Sequence, residues 1–282
     1  KMPEKMEHAL KELAEPINIH VNDPIAKRIV GILKNTFITP NQVTYLSVLV
    51  GFASGYSFSQ GSWASSVTGG LLLELTLILD CVDGQLARAK NMASYWGRLI
   101  DGIAGYFAYL AVIYGIISGY PEFRISLIVI AAFTILRAIS YDYCKQTFGM
   151  MVLKGFDGVQ REIQNTFEKI QQTPSVVLTV YFYYMQIQQL IFCGKWKTLK
   201  GMRNQEATVS TKLDLNQRQE YFDRVSSLLK IWRWNGIDFP LFLIAILGLL
   251  SMPGQSLNFL AVAITLQFLF TYLSHVYLSR NL

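Results

Sequence analysis

The sequence has little charge and few cysteines. Only 16% of its 282 residues are charged, whereas soluble domains carry about 25%. This deficit, with 52% hydrophobic residues and a mean hydropathy of +0.31, excludes a disordered chain and disfavours a soluble enzyme. Cys81, Cys144 and Cys193 are far apart, which excludes a disulfide scaffold and a cysteine metal cluster. The remaining class is a polytopic α-helical membrane protein.

Six apolar stretches are predicted to cross a bilayer, which takes about 20 residues. They are Val43–Ser59, Ala64–Leu86, Leu99–Ser118, Ile125–Tyr143, Ile237–Met252 and Leu257–Tyr277. Nearly all Lys and Arg residues fall on one side of these spans, which predicts that both termini are cytoplasmic. Because these basic residues are distributed between spans, the net charge of +6 does not indicate a nucleic acid partner. We therefore expect an all-α integral membrane protein with six transmembrane helices, in a bacterial inner membrane.

Two further segments are predicted to lie at the membrane surface. In residues 23–34, Asp23 can cap a helix, and the apolar residues form one stripe opposite the basic ones, as in an interfacial helix. Residues 174–193 are uncharged, but crossing there would place a basic cluster outside, so we expect them on or beside the membrane. The chain then has four regions: 1–40 with amphipathic helices, 41–144 with spans one to four, a cytoplasmic helical insert at 145–235, and 236–282 with the last two spans.

The most informative residues are acidic and stand at the cytoplasmic end of the second span. Charges in an apolar helix are costly, and they are retained where they pair, bind ions or do chemistry. One stripe of this helix presents two carboxylates, two small residues and a guanidinium: Asp80, Asp83, Gly84, Ala87 and Arg88. Asp101 follows on the next helix. A short loop makes the two helices antiparallel neighbours, so Asp101 can meet Asp80 and Asp83.

Three clustered carboxylates repel one another unless a cation holds them. Hard oxygen ligands with room for water or phosphate suit Mg²⁺, with Mn²⁺ as a substitute. Gly84 and Ala87 would let a bulky ligand approach the backbone, and Arg88 could bind phosphate bidentately. The pattern therefore predicts a site for a metal-bound diphosphate. A structural Asp–Arg network is the alternative, but it does not explain the small residues on the same stripe.

This stretch resembles the signature of the CDP-alcohol phosphotransferase (phosphatidyltransferase) family, D-x2-D-G-x2-A-R-x7–8-G-x3-D-x3-D. Seven of its eight fixed positions match with correct spacing: Asp80, Asp83, Gly84, Ala87, Arg88, Gly97 and Asp101. The segment from Pro40 through Asn41 to Thr44 is also similar to the family's usual start of the first span. The resemblance covers residues 23–145 and the last two spans, whereas the insert lies outside it.

The resemblance implies a homodimeric membrane enzyme of phospholipid or related lipid synthesis, with its site open to the cytoplasm. Such an enzyme binds a CDP-linked donor, and an acceptor hydroxyl attacks the phosphorus distal to the cytidine, releasing CMP. By resemblance, the metal ligands are Asp80, Asp83 and Asp101. The implied substrate-binding residues are Asp80, Asp83, Gly84, Ala87, Arg88, Gly97, Asn41 and Thr44.

The eighth position of the signature departs from the family. Where the family has its last aspartate, a metal ligand and presumed general base, this chain has Gly105. Glycine cannot accept a proton, and losing a general base typically costs about 10²–10⁴ in rate. Three explanations compete: another residue supplies the base, the protein binds nucleotide without efficient turnover, or the position has been altered. Tyr106 is a poor base because a phenol titrates near 10.

Other polar residues within the spans are weaker candidates. Arg137 could bind the phosphate or carboxylate of an acceptor, or pair with Glu74 or an aspartate. Asp238 and His275 lie near the cytoplasmic ends of the last two spans, where lone residues are more typical of the interface, although either could approach the site. Two other function classes fit less well. A prenyltransferase normally needs a second Asp-rich motif, and a transporter should show related halves; the sequence has neither.

Overall fold

The computed structural model describes residues 14–193, 212–252 and 255–279, and within them the chain is helical and has no strand. The α-helices are α1 Asp23–Leu33, α2 Pro40–Ser59, α3 Trp63–Ala89, α4 Tyr95–Gly119, α5 Arg124–Cys144, α6 Met150–Lys154, α7 Gly158–Gln172, α8 Val176–Cys193, α9 Leu215–Trp232, α10 Asp238–Leu249 and α11 Ser256–Ser279. The predicted amphipathic segment before residue 14 and the part of the insert at 194–211 lie outside the described residues.

Four described segments are long and apolar enough to cross a membrane: Trp63–Ala89, Ile100–Gly119, Pro121–Lys154 and Ser256–Leu278. They correspond to four of the six predicted spans, and the prediction of an all-α membrane protein is confirmed at this level. The other two predicted spans correspond to α2 and α10. Serines and glycines lower the hydropathy of α2, and α10 has only 12 residues. The count of six therefore stays a prediction.

Polar caps set where the helices around the aspartates begin. At the start of α2, the Thr39 side chain accepts from the amide of Gln42, whose side chain accepts from the Thr39 amide in return. At the start of α4, Ser94 Oγ accepts from the amide of Gly97 at 2.9 Å. Each cap satisfies amide groups that the first helical turn leaves without a partner. The cap at Ser94 thus fixes the start of α4 less than two turns before Asp101.

The loop between α3 and α4 is short and is held in place by hydrogen bonds. Asn91 adopts a left-handed conformation with φ of 55°, which asparagine tolerates better than most residues. Lys90 Nζ donates to the carbonyl oxygens of Thr36 and Ile38, both at 2.7 Å. This loop therefore reverses the chain tightly enough to set the last turns of α3 beside the first turns of α4.

Residues 14–136 and 236–272 form one compact unit, in which α2 packs against α3 and α4, and α3 packs against α1 and α10. Close approach depends on glycine: a side-chain carbon at Gly115 would collide with the backbone of Gly55, and one at Gly70 would meet the carbonyl oxygen of Ala245 at 2.6 Å. Small residues at helix contacts are the usual means of packing helices tightly in membranes. The largest buried side chains of this unit, among them Phe58 and Ile244, fill its core.

The second compact unit contains the described residues of 137–235 and 273–279, so the described part of the insert belongs to it. Val152, Val225 and Leu229 form a small buried core there. Helix α8 buries polar residues, Gln186, Gln188 and Gln189, whereas Val176, Val180 and Ile187 on other faces are exposed. Its apolar stretch, Val176–Phe192, is shorter than the candidate spans. The prediction that this helix does not cross the membrane stays a prediction.

Candidate functional site

The last turns of α3 and the first turns of α4 bring the three predicted aspartates together. One carboxylate oxygen each from Asp80, Asp83 and Asp101 lie within 4.8 Å of one another. Asp83 is buried, and the other two are half-buried. The geometry follows from two sequence features: the spacing of Asp80 and Asp83 by one helical turn, and the short loop that makes α3 and α4 antiparallel.

The surroundings of this acidic cluster fit a divalent cation. Thr44 Oγ1 on α2 donates to Asp83 Oδ2 at 2.6 Å, which orients that carboxylate. Asp101 Oδ1 is buried with no hydrogen-bond partner among the described residues. Leaving a buried carboxylate oxygen unsatisfied costs free energy, and a bound cation would remove that cost. The ligand set is all oxygen, which suits Mg²⁺ or Mn²⁺.

The predicted substrate-binding residues flank the cluster. A side-chain carbon at Gly84 would lie 3.7 Å from Arg88 Nη1, so the guanidinium lies beside a stretch of bare helix backbone. A side-chain carbon at Gly97 would lie 3.9 Å from Asn41 Oδ1, so the structure places Asn41 of α2 next to the start of α4. Ala87 is half-buried on the same helix as Gly84.

A pocket adjoins the cluster, with Asp80 in its lining. It is lined by residues of α2, α3, α4 and α10, and the polar residues in its lining are Thr44, Ser47, Thr76, Asp80, Tyr109 and Asp238. Gly105 also lines it, and a side-chain carbon there would meet nothing within 4 Å. Gly105, at the position of the signature's last aspartate, therefore faces free space in the pocket that Asp80 also lines.

The sequence left Asp238 open between an interfacial position and an approach to the site, and the structure places it in the pocket lining. The available signal was an acid at the start of a short apolar helix, two residues before Pro240.

The sequence did not predict that the amino-terminal segment forms hydrogen bonds with residues of the site. Asn18 Nδ2 donates to Asp238 Oδ2 at 2.5 Å, and Gln85 Nε2 of α3 donates to Asp23 Oδ1 at 2.7 Å. These contacts join residues far apart in the sequence, so no local pattern reveals them.

Arg137, predicted as an acceptor-binding residue, belongs to the second compact unit. It is completely buried. Its Nε donates to Asn235 Oδ1 at 3.2 Å and its Nη2 to the Trp234 carbonyl oxygen at 2.5 Å. In the same unit, Trp232 Nε1 donates to His275 Nδ1 at 3.3 Å. Arg137 thus links α5 to the segment that follows α9.

Comparison with known families agrees with this site. Residues 37–199 match the CDP-alcohol phosphatidyltransferase family, which is more than half of the chain and includes all three clustered aspartates. The protein belongs to this family, and the resemblance seen in the signature is confirmed.

Three relatives share part of this region. The bifunctional IPC transferase and DIPP synthase of Aquifex aeolicus is 32% identical over 110 residues, 36% of this chain and 24% of the relative. The archaetidylinositol phosphate synthase of Pyrococcus horikoshii is 30% identical over 99 residues, 35% of this chain and 50% of the relative. The CDP-diacylglycerol–serine O-phosphatidyltransferase of Helicobacter pylori is 32% identical over 114 residues, 36% of this chain and 44% of the relative. The chain spans half or less of the length of each.

Proposed function

We propose that the protein transfers a phospho-alcohol or phosphatidyl group from a CDP-linked donor to an acceptor hydroxyl and releases CMP, in phospholipid or related lipid synthesis. The observation that carries this proposal is the meeting of Asp80, Asp83 and Asp101 within 4.8 Å, in a chain that belongs to the CDP-alcohol phosphatidyltransferase family. The names of the relatives, two synthases and a phosphatidyltransferase, support transferase chemistry.

In this proposal each part of the site has one task. Asp80, Asp83 and Asp101 hold Mg²⁺ or Mn²⁺, which would neutralise the diphosphate of the donor when bound. Thr44 keeps the Asp83 carboxylate oriented through its hydrogen bond. The small residues Gly84, Ala87 and Gly97 leave room for the nucleotide, with Arg88 donating to phosphate and Asn41 to the donor. The pocket beside Asp80 receives the acceptor.

The chemistry is a substitution at phosphorus. The acceptor hydroxyl oxygen forms a bond to the phosphorus distal to the cytidine, and the bond from that phosphorus to the CMP oxygen breaks. CMP leaves with the electron pair of that bond, and the hydroxyl proton passes to a base. Hydrogen bonds from Arg88 to the phosphate oxygens would stabilise the charge that develops there.

One observation favours a second candidate, a homologue that binds CDP-nucleotide and metal without efficient turnover. Gly105 occupies the position of the presumed base, and without any base the rate would fall by about 10²–10⁴. This candidate predicts metal-dependent nucleotide binding and no measurable CMP release. Measurement of CMP release therefore distinguishes the two candidates.

We further propose the setting in which the site works. The asymmetry of Lys and Arg favours cytoplasmic termini, a cytoplasmic active site and six spans in a bacterial inner membrane. The family resemblance favours a homodimer. Arg137 is proposed to assist the acceptor's phosphate or carboxylate, in addition to its contacts with Trp234 and Asn235.

Donor profiling tests the proposal. The purified full chain is incubated with Mg²⁺ or Mn²⁺, with CDP-diacylglycerol or a soluble CDP-alcohol, and with glycerol phosphate, an inositol phosphate, an amino alcohol or diacylglycerol as acceptor. We expect CMP release that needs both metal and acceptor and that stops when EDTA is added. Nucleotide binding without CMP release from any pair would support the second candidate. Absence of both binding and release would overturn both.

A further inference from the structure

We propose that Asp238 supplies the proton-accepting carboxylate that Gly105 lacks, an inference that rests on the proposed function. Asp238 is the first residue of α10, and it lines the same pocket as Asp80 and Gly105. A side-chain carbon at Gly105 would meet nothing within 4 Å. Helix α4 therefore leaves space in the pocket, and α10 presents a carboxylate to that pocket.

The Asp238 side chain is buried and oriented. It is only 9% exposed, and its Oδ2 accepts from Asn18 Nδ2 at 2.5 Å. Asn18 is itself fixed, because its Oδ1 accepts from Nδ2 of the fully buried Asn22 at 3.0 Å. This second contact turns the amide group of Asn18 toward Asp238. A base held by a third group is the arrangement expected of a side chain that takes a proton from a nucleophile.

Asp238 also lies apart from the metal ligands. Among the described residues, the acidic group close enough to hold a cation consists of Asp80, Asp83 and Asp101, and Asp238 is not part of it. It nevertheless lines the same pocket as Asp80, so it is near the proposed reacting centre. A carboxylate that is near the metal but not bound to it keeps a lone pair for a proton.

The acceptor hydroxyl transfers its proton to the Asp238 carboxylate while its oxygen bonds to the phosphorus distal to the cytidine. The bond from that phosphorus to the CMP oxygen breaks, and CMP departs with the electron pair. The Asp238 carboxylic acid then releases the proton to water, which restores the carboxylate for the next turnover.

A purely structural role for Asp238 makes a different prediction. An acid in the first helical turn stabilises the helix through its dipole, and the bond to Asn18 ties α10 to the amino-terminal segment. If this were its whole role, Asp238→Asn would lower the melting temperature and change catalysis only in proportion to the loss of folded protein. Asparagine keeps the size of the side chain and an oxygen that can accept from Asn18.

The first test compares Asp238→Asn with the unmodified chain. We expect kcat for CMP release to fall by about 10²–10⁴, with the affinity for CDP-nucleotide in the presence of Mn²⁺ unchanged. The matched control is Asp223→Asn, the same substitution at an exposed aspartate of α9 outside the pocket lining, and it should leave kcat and binding unchanged. The inference would be overturned if kcat were unchanged in Asp238→Asn. It would also be overturned if Mn²⁺-dependent nucleotide binding fell in parallel with kcat.

The second test is a rescue. Gly105→Asp introduced into Asp238→Asn should restore at least a tenth of the lost kcat, because the new carboxylate enters the same pocket through open space. Gly105→Asp alone should change kcat little. Failure of the double variant to recover, with its metal and nucleotide binding intact, would count against Asp238 as the base. If the unmodified chain itself releases no CMP, the proposed function fails first, and this inference fails with it.

Discussion

Asp83 is the most buried of the three clustered aspartates, and one hydroxyl orients it. Thr44 Oγ1 donates to its Oδ2 at 2.6 Å across the contact between α2 and α3. A buried carboxylate needs such a donor, since burial without partners costs free energy. The bond also keeps one oxygen of Asp83 at a fixed angle. The geometry of the acidic cluster therefore depends on a residue of the first predicted span as well as on the signature itself.

Asp83→Asn should abolish metal-dependent nucleotide binding. Asparagine retains the size of the side chain and an oxygen that accepts from Thr44, but it removes one negative charge from the ligand set, which a hard cation requires. Titration calorimetry with a CDP-nucleotide and Mn²⁺ measures the effect. Asp223→Asn, an exposed aspartate of α9, is the control and should bind normally. Tight binding by Asp83→Asn would contradict the assigned role.

Thr44→Val should weaken the site without unfolding it. Valine has nearly the shape of threonine and leaves Asp83 Oδ2 without the hydroxyl donor. Removing a partner that orients a metal ligand typically costs about 10–100-fold in metal affinity or activity. The Mn²⁺ dependence of nucleotide binding reports this change, and Thr68→Val, at an exposed threonine of α3, serves as the comparison. Equal Mn²⁺ affinity in both variants would show that the bond to Thr44 does not matter.

At the scale of the helices, glycine determines how close α2 comes to α4. A side-chain carbon at Gly115 would collide with the backbone of Gly55, and both helices line the pocket beside Asp80. In a membrane, helix association relies on close packing because lipid is as apolar as the side chains. The separation of these two helices therefore sets the width of the pocket.

Gly115→Ala should destabilise the protein by about 1–3 kcal/mol through overpacking. The matched control is Gly102→Ala on the same helix, where a side-chain carbon meets nothing within 4 Å. The control should leave the melting temperature unchanged or raise it slightly, because alanine is the better helix former. Thermal unfolding of both variants in the same detergent makes the comparison. Equal melting temperatures would show that α2 and α4 can separate without cost.

Sequence periodicity predicts where a helix lies along the chain better than it predicts what surrounds that helix. A helix was predicted over residues 23–34, and α1 is Asp23–Leu33. Its Ala26 and Val30 are buried, and the helix packs against α3, whereas Ile25 and Ile32 of the predicted apolar stripe are exposed. The pattern locates the helix, but it does not reveal which side of the helix its neighbours bury, because that depends on helices distant in sequence.

The same limit explains what could be predicted of the site. Asp80 and Asp83 are one turn apart, and the short loop constrains Asp101, so local geometry predicts their meeting. Asp238 reaches the pocket only because α10 packs against α3, more than 150 residues later in the chain. Gly105 marked where a group was missing, but only the folded arrangement shows that Asp238 lines the same pocket.

At the scale of the whole molecule, the orientation in the membrane can be measured. Glu122 and Glu168 are both exposed, and the distribution of basic residues predicts that they lie on opposite sides of the membrane. In spheroplasts, an impermeant maleimide should label Glu122→Cys directly and Glu168→Cys only after permeabilisation. The parent protein, with its three native cysteines, gives the background. The reverse labelling pattern would contradict the predicted orientation.

The contacts of Asn18 and Asp23 have a practical consequence for anyone who shortens this protein. A version starting at α2 would keep every letter of the recognisable signature, yet it would lack the amide that holds Asp238 and the carboxylate that accepts from Gln85. We therefore expect the smallest active portion of the protein to be larger than the motif by which such proteins are found.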